Sequence, residues 1–219
     1  MTSPSLFGPT RPPASGKPPK QLFIFLHGLG ANGEDLIDLA PFFARAYPDA
    51  AFVSPDAPFP CDMAPFGYQW FSLQDRDPAI VLAGAQKAVP LLDHFIDAQL
   101  KLHNVSDDKL VLVGFSQGTM MALYVALRRA HPCAAVIGFS GALLGAELLA
   151  KEIKSRPPVC LIHGDADGVV PHGASLHAAQ LLTAAGVPVE FHSRPNLAHG
   201  IDNEGLALAL RFLKEKTKL

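Results

Sequence analysis

Lys109-Leu-Val-Leu-Val-Gly-Phe-Ser-Gln-Gly-Thr-Met-Met-Ala-Leu123 decides the fold. Its first half is a short apolar run rich in Val and Leu, the composition of a parallel strand buried on both faces. From Met120 to Ala130 the spacing is helical. Between the two lies Gly114-Phe-Ser116-Gln-Gly118, a G-x-S-x-G, so the chain turns sharply from strand to helix there. Side chains at positions 114 and 118 would collide with the neighbouring strand and helix, which is why glycine flanks the turn. Such a turn lifts the Ser116 hydroxyl out at the carboxyl end of a sheet, at a helix N-terminus, as in a nucleophile elbow. A serine opening a helix also serves as a simple N-cap. The rest of the chain must therefore supply a base, an orienting acid and oxyanion donors.

The same alternation runs outward in both directions. Before the elbow, Gln21–Leu26 is a buried strand running into the glycine-rich His27-Gly28-Leu29-Gly30-Ala31-Asn32-Gly33. Neither a Gly-Lys-Ser/Thr nor a G-x-G-x-x-G is present, which excludes a P-loop and a dinucleotide fingerprint. A turn of this kind exposes backbone N–H groups, and the Leu29 amide is a candidate to face the reacting centre. Asp35–Tyr47 reads as one helix and Ala51–Ser54 as a strand. Residues 55–76 form a long irregular loop rich in aromatics, too long to be a mere connection. Within it Met63, Trp70 and Phe71 either line a substrate pocket or plug the core. Asp77-Pro78 announces a long helix to Leu102, with Asp as N-cap and Pro in the first turn. After the elbow come strand Cys133–Phe139, helix Leu143–Lys154, strand Val159–Ile162, helix His172–Ala185, strand Pro188–Phe191 and a closing helix Asp202–Lys216. Strands alternating with helices predict a mostly parallel, doubly wound sheet flanked by helices.

Residues 1–20 hold six prolines and read as a Pro-rich N-terminal extension, in which Leu6-Phe7 is the candidate for weak pairing at a sheet edge. Residues 21–219 read as a single catalytic domain. Of the 219 residues, 49% are hydrophobic and 17% charged, below the usual quarter or so, which suits a sheet covered on both faces. The net charge of −2 comes without a basic patch, which argues against a nucleic-acid partner. Cys61, Cys133 and Cys160 show no metal-ligand or disulfide-framework spacing. No signal peptide is evident, and Ala134–Ala150 is too polar and broken to span a bilayer. A cytoplasmic protein without stable membrane insertion is expected.

Ligand sites in such sheets lie at the carboxyl ends of the strands. The Leu29 turn, Ser116, the Asp165/Asp167 loop and His199 all fall there, in the chain order Ser, Asp, His. Ser116 needs a base within hydrogen-bond reach. A neutral His199 would take its proton and pass it to the leaving group. An Asp would hold the imidazole tautomer and stabilise its cation. The amides of Gln117 and Leu29 would bind the tetrahedral oxyanion. Asp165 and Asp167 are equally placed for the acid, and either is also a natural turn-former.

Leu26-His-Gly-Leu-Gly-Ala-Asn-Gly-Glu-Asp-Leu36, Gly114-Phe-Ser-Gln-Gly-Thr-Met-Met-Ala122, His163-Gly-Asp-Ala-Asp-Gly-Val-Val-Pro171 and Ala198-His-Gly200 resemble the motifs of the phospholipase/carboxylesterase family. This is the capless α/β-hydrolase group that also contains the acyl-protein thioesterases. The resemblance covers nearly the whole chain after the tail. It implies Ser116 as nucleophile, Asp167 rather than Asp165 as orienting acid, His199 as base and the Leu29 and Gln117 amides as oxyanion hole, with no metal or cofactor. Pro60–Ser72 looks more like the bacterial carboxylesterase branch than the eukaryotic thioesterase branch. The expected substrates are carboxylic esters of small alcohols or phenols, with thioesters and lysophospholipids as runners-up. The resemblance also leaves room for a homodimer. The rivals are a non-catalytic α/β-hydrolase module that binds a small ligand, and perhydrolysis or lactone opening on the same fold.

Overall fold

In the computed structural model, which describes residues 6–219, the elements follow one another as β1 (Thr10–Arg11), β2 (Gln21–Leu26), α1 (Gly33–Ile37), α2 (Ala40–Ala44), β3 (Ala50–Val53), β4 (Phe59–Pro60), β5 (Tyr68–Gln69), α3 (Pro78–His103), β6 (Leu110–Phe115), α4 (Gln117–Ala126), β7 (Ala135–Phe139), α5 (Leu149–Glu152), β8 (Val159–Gly164), α6 (His172–Ala184), β9 (Val189–Arg194) and α7 (Asn203–Lys216). Seven strands form the main sheet in the order β1-β3-β2-β6-β7-β8-β9. All pair in parallel except β1, which lies antiparallel on β3. The expected doubly wound α/β architecture is present, and no cap is inserted among the described residues.

The period of two along each strand sorts the core into two layers. On β2, Leu22, Ile24 and Leu26 point to the side of α3, α4 and α6; on β6, Leu110 and Leu112 do the same. Phe23, Phe25, Val111 and Val113 point to the other side, under α1, α2 and α7. Phe23 and Phe25 pack against Phe43 and Phe52 there, with centroid separations of 5.2–6.0 Å. Helix α3 is the one described helix long and apolar enough to cross a membrane. Its stripe of Val81, Ala85, Ala88, Leu92, Ile96 and Leu100 is instead buried in the first of these layers. The Asp77 carboxylate caps its start, accepting from the Ala79 amide at 2.8 Å.

Several boundaries depart from expectation for identifiable reasons. The single helix predicted over 35–47 is two short ones. Pro41, in the first turn of α2, has no N–H to continue the ladder of α1. The helix predicted over 143–154 shrinks to a 3₁₀ turn and four residues, because Gly145 takes the left-handed conformation (φ 60°). In the N-terminal segment the residues that pair as a strand with the sheet edge are Thr10 and Arg11, opposite Val53 and Phe52. Just beyond it, the Phe7 carbonyl accepts from the Asp56 amide at 2.8 Å. Within the 55–76 loop, β4 and β5 make a small antiparallel pair.

The winding direction of the chain reverses between β2 and β6. The strand after β2 lies on one side of it and β6 on the other, so the connections leave a crevice at their carboxyl ends. Leu26 pairs with Gly114 just before the two strands end. The turn at 28–31 and the elbow at Ser116 therefore emerge side by side.

Candidate active site

Ser116 sits at φ 55°, ψ −117°, one of four non-glycine residues with positive φ among those described. The turn requires glycine on both sides. A Cβ on Gly118 would lie 1.8 Å from the Leu26 carbonyl oxygen, and one on Gly114 would lie 2.4 Å from the Thr119 nitrogen. The Ser116 amide donates to the Phe139 carbonyl at 2.9 Å, which ties the elbow to β7. The Ser116 side chain does not cap α4, although the residue occupies the N-cap position. The simple capping role is thereby removed.

Ser116 and His199 line one cavity of about 460 Å³. Its other walls include Leu29, Gln117, Met63, Leu73, Val81 and Met120, with Asp35 and Arg76 among its few polar groups, so it is mainly apolar. Neither the Leu29 nor the Gln117 N–H donates to another group among the described residues. Two free amide donors beside one serine are what a developing oxyanion requires.

Opposite the serine, the His199 Nδ1 lies 2.7 Å from Asp167 Oδ2. The Asp167 side chain is fully buried. Its Oδ1 accepts from the amides of Val169 (2.8 Å) and Val170 (2.9 Å). Burial by itself pushes this carboxyl up, but the bonds from His199 and the two amides outweigh it and hold it below the ordinary carboxylate value. Asp165 does something else: its Oδ1 accepts from the Asn196 amide at 2.7 Å and holds the loop that carries His199. The two acids left open by position alone are thus separated by geometry. The far end of that loop is fixed by Arg194, which grips Asp202 at 2.9 Å while Asp202 caps α7 through the Gly205 amide at 2.7 Å. Phe115 packs its ring against the His199 imidazole, 4.7 Å between centroids.

Of the three pocket residues expected in the 55–76 loop, only Met63 lines the cavity. Trp70 and Phe71 do not reach it: they are 0% and 1% exposed and belong to the core under α3 and α4. Polar bonds account for this placement. The Trp70 indole N–H donates to the His27 carbonyl at 2.9 Å. The Gln117 side chain clamps the adjacent backbone, accepting from the Trp70 amide at 3.2 Å and donating to the Phe71 carbonyl at 2.8 Å. These bonds draw the two aromatics inward. Trp70→Phe is accordingly expected to destabilise the protein by about 1–3 kcal/mol in thermal or denaturant unfolding, with KM for small esters unchanged. A KM shift without a stability loss would return Trp70 to the pocket.

Position in the sequence did not reveal His27 as part of the site. The Ala57 amide donates to its Nε2 at 2.9 Å, so the proton lies on Nδ1 and bonds the Gly28 carbonyl at 2.7 Å. Burial lowers its pKa, against an opposing bond to Gly28, and keeps the ring neutral. Together with the Gly30 amide on the Tyr68 carbonyl (2.8 Å), it fixes the turn that presents Leu29. The signal was a histidine directly ahead of the glycine-rich turn.

Residues 13–217 match the family described as Phospholipase/Carboxylesterase. The chain belongs to that family. Among its relatives, esterase YpfH of Escherichia coli is 30% identical over 198 residues, covering 90% of this chain and 84% of that protein. Acyl-protein thioesterase 1 of Debaryomyces hansenii is 28% identical over 221 residues, covering 94% and 95%. The crystal structure of esterase PE8 superposes with a TM-score of 0.92 at 43% identity and covers 97% of this chain and 99% of that one. In this member of the phospholipase/carboxylesterase family, the stretches around Leu29, Ser116, Val169 and His199 converge on the cavity.

Proposed function

We propose that the protein is a serine carboxylesterase acting through Ser116, His199 and Asp167. The observation that carries this reading is the convergence of a strained, uncapping Ser116 and an Asp167-bonded His199 on one mainly apolar cavity. The ester carbonyl binds with its oxygen at the Leu29 and Gln117 amides. His199 removes the Ser116 hydroxyl proton as Oγ attacks the carbonyl carbon, and then protonates the departing alkoxide. Water repeats the sequence on the acyl-enzyme, with His199 again as base, and releases the acid. Asp167 keeps the His199 proton on Nδ1, so that Nε2 is free to act as base, and balances the transient imidazolium.

The apolar wall of Met63, Leu73, Val81 and Met120 suits an acyl chain. Between p-nitrophenyl acetate and hexanoate, kcat/KM is expected to rise a few-fold per methylene, as transfer of about 0.8 kcal/mol per CH₂ dictates, and to fall once the chain outgrows the cavity. A fluorophosphonate probe is expected to label Ser116 stoichiometrically. Absence of turnover on every chain length, with no labelling, would favour the ligand-binding module instead. The same cavity would accept a thioester, as the thioesterase relative suggests; comparing matched oxygen and sulfur esters ranks the two.

A further inference from the structure

His163 is the penultimate residue of strand β8, 1% exposed and four residues before Asp167. It takes no part in the steps above and does not line the cavity. Its Nε2 lies 3.1 Å from Asp167 Oδ2 and 3.0 Å from the Val170 carbonyl oxygen. Both neighbours are acceptors, so Nε2 carries a hydrogen. On the other side, Nδ1 lies 2.7 Å from Ser175 Oγ, which also lies 2.8 Å from the Gly141 carbonyl oxygen; beside a neutral ring with its hydrogen on Nε2, the single Ser175 hydroxyl hydrogen turns to Nδ1 in place of Gly141.

Asp167 Oδ2 consequently receives two imidazole N–H groups, from His199 and from His163, while Oδ1 receives two amides. We propose that His163 is a positioning residue of the triad, whose Nε2–H competes with His199 for the same carboxylate oxygen and so limits how tightly Asp167 holds the His199 cation. The proposal rests on His199 being the base of the reading above. A carboxylate with four donors has its charge distributed among them, and each donor receives less of it. Removing one leaves the rest of the charge to the others. His163 itself stays neutral: burial lowers its pKa, opposed by its bonds to the Val170 carbonyl and to Asp167. The titratable groups facing it are Asp167 and, at the start of α6, His172, whose ring lies 5.7 Å away and nearly perpendicular. Through Asp167 it faces His199.

The test is the pH profile of kcat/KM on a p-nitrophenyl ester, for wild type, His163→Met and His163→Gln, each normalised to sites titrated by the fluorophosphonate. His163→Met is expected to move the acid limb to higher pH by about half a unit to one unit, with KM unchanged. His163→Gln, whose side-chain amide N–H reaches the place of the imidazole Nε2–H, is expected to bring the limb back. A limb left in place by His163→Met, with only a lower titre or melting temperature, overturns the proposal alone. A wild-type profile without any acid limb overturns the histidine-base reading, and this proposal with it. Should His163→Met fail to fold, ¹⁵N NMR of the wild-type histidines decides: a His163 ring protonated on Nδ1 and bare at Nε2 refutes the proposal, and the reverse tautomer across the working pH range supports it.

Discussion

Replacing Ser116 with alanine is expected to lower kcat on a short p-nitrophenyl ester by at least about three orders of magnitude, and by as much as 10⁶ if the enzyme resembles other triad hydrolases. What remains would come from the two amide donors and from binding. The stability should not change, because alanine keeps the Cβ in the same positive-φ backbone (φ 55°). Ser116→Gly separates the two roles. It should be equally inactive, yet more stable by about 1 kcal/mol, since glycine relieves a strain of about 1–3 kcal/mol at the expense of its own larger unfolded-state entropy. A backbone held in this conformation, with close approaches at Gly114 and Gly118 that only glycine allows, stores its strain at Ser116. Retained activity in Ser116→Ala would refute the elbow reading whatever the family. Activity and stability lost together would point to a structural serine.

The second large effect is expected at Asp167. Asp167→Asn should lower kcat by about 10⁴, because the amide cannot balance the imidazolium and admits the wrong His199 tautomer. Asp165→Ala is the matched control. It loses the bond to the Asn196 amide, slackening the loop, and should reduce activity only several-fold. Equal losses in the two variants would undo the assignment of the acid. Asp167 should also leave a trace in stability against pH. Its carboxyl lies below the ordinary value in the folded protein, so the unfolded chain binds its proton more readily. The stabilisation is complete above the ordinary carboxylate pKa of about 4 and disappears as the pH falls below it through the folded value. The stability difference between wild type and Asp167→Asn should therefore narrow on acidification below about pH 4, as urea unfolding at a series of pH values would show.

Much of the site lay open in the chain because its signals are local. Ser116 is marked by a glycine on each side of a strand–helix junction, and His199 by its place between the last strand and the closing helix. The aromatic loop was opaque for the opposite reason. Whether Trp70 and Phe71 face a pocket or the core depends on the Gln117 side chain, 47 and 46 residues away, and on the His27 carbonyl. No local pattern carries such a long-range choice. The same holds for His27 and His163, two of nine histidines, whose roles are defined by partners on the Ala57 amide and on Ser175.

Residue order alone determined the alternation of strands and helices, the elbow and the Ser–Asp–His order, because periodicity and glycine sterics act within a few residues. The convergence on one cavity was decided only in three dimensions. The reversal between β2 and β6 brings the Leu29 turn beside Ser116, and the neighbouring β8 and β9 deliver Asp167 and His199 to the same edge. Which of Asp165 and Asp167 meets His199 was decided there too, since a carboxylate's bonds follow from which donors surround it rather than from where it stands in the chain.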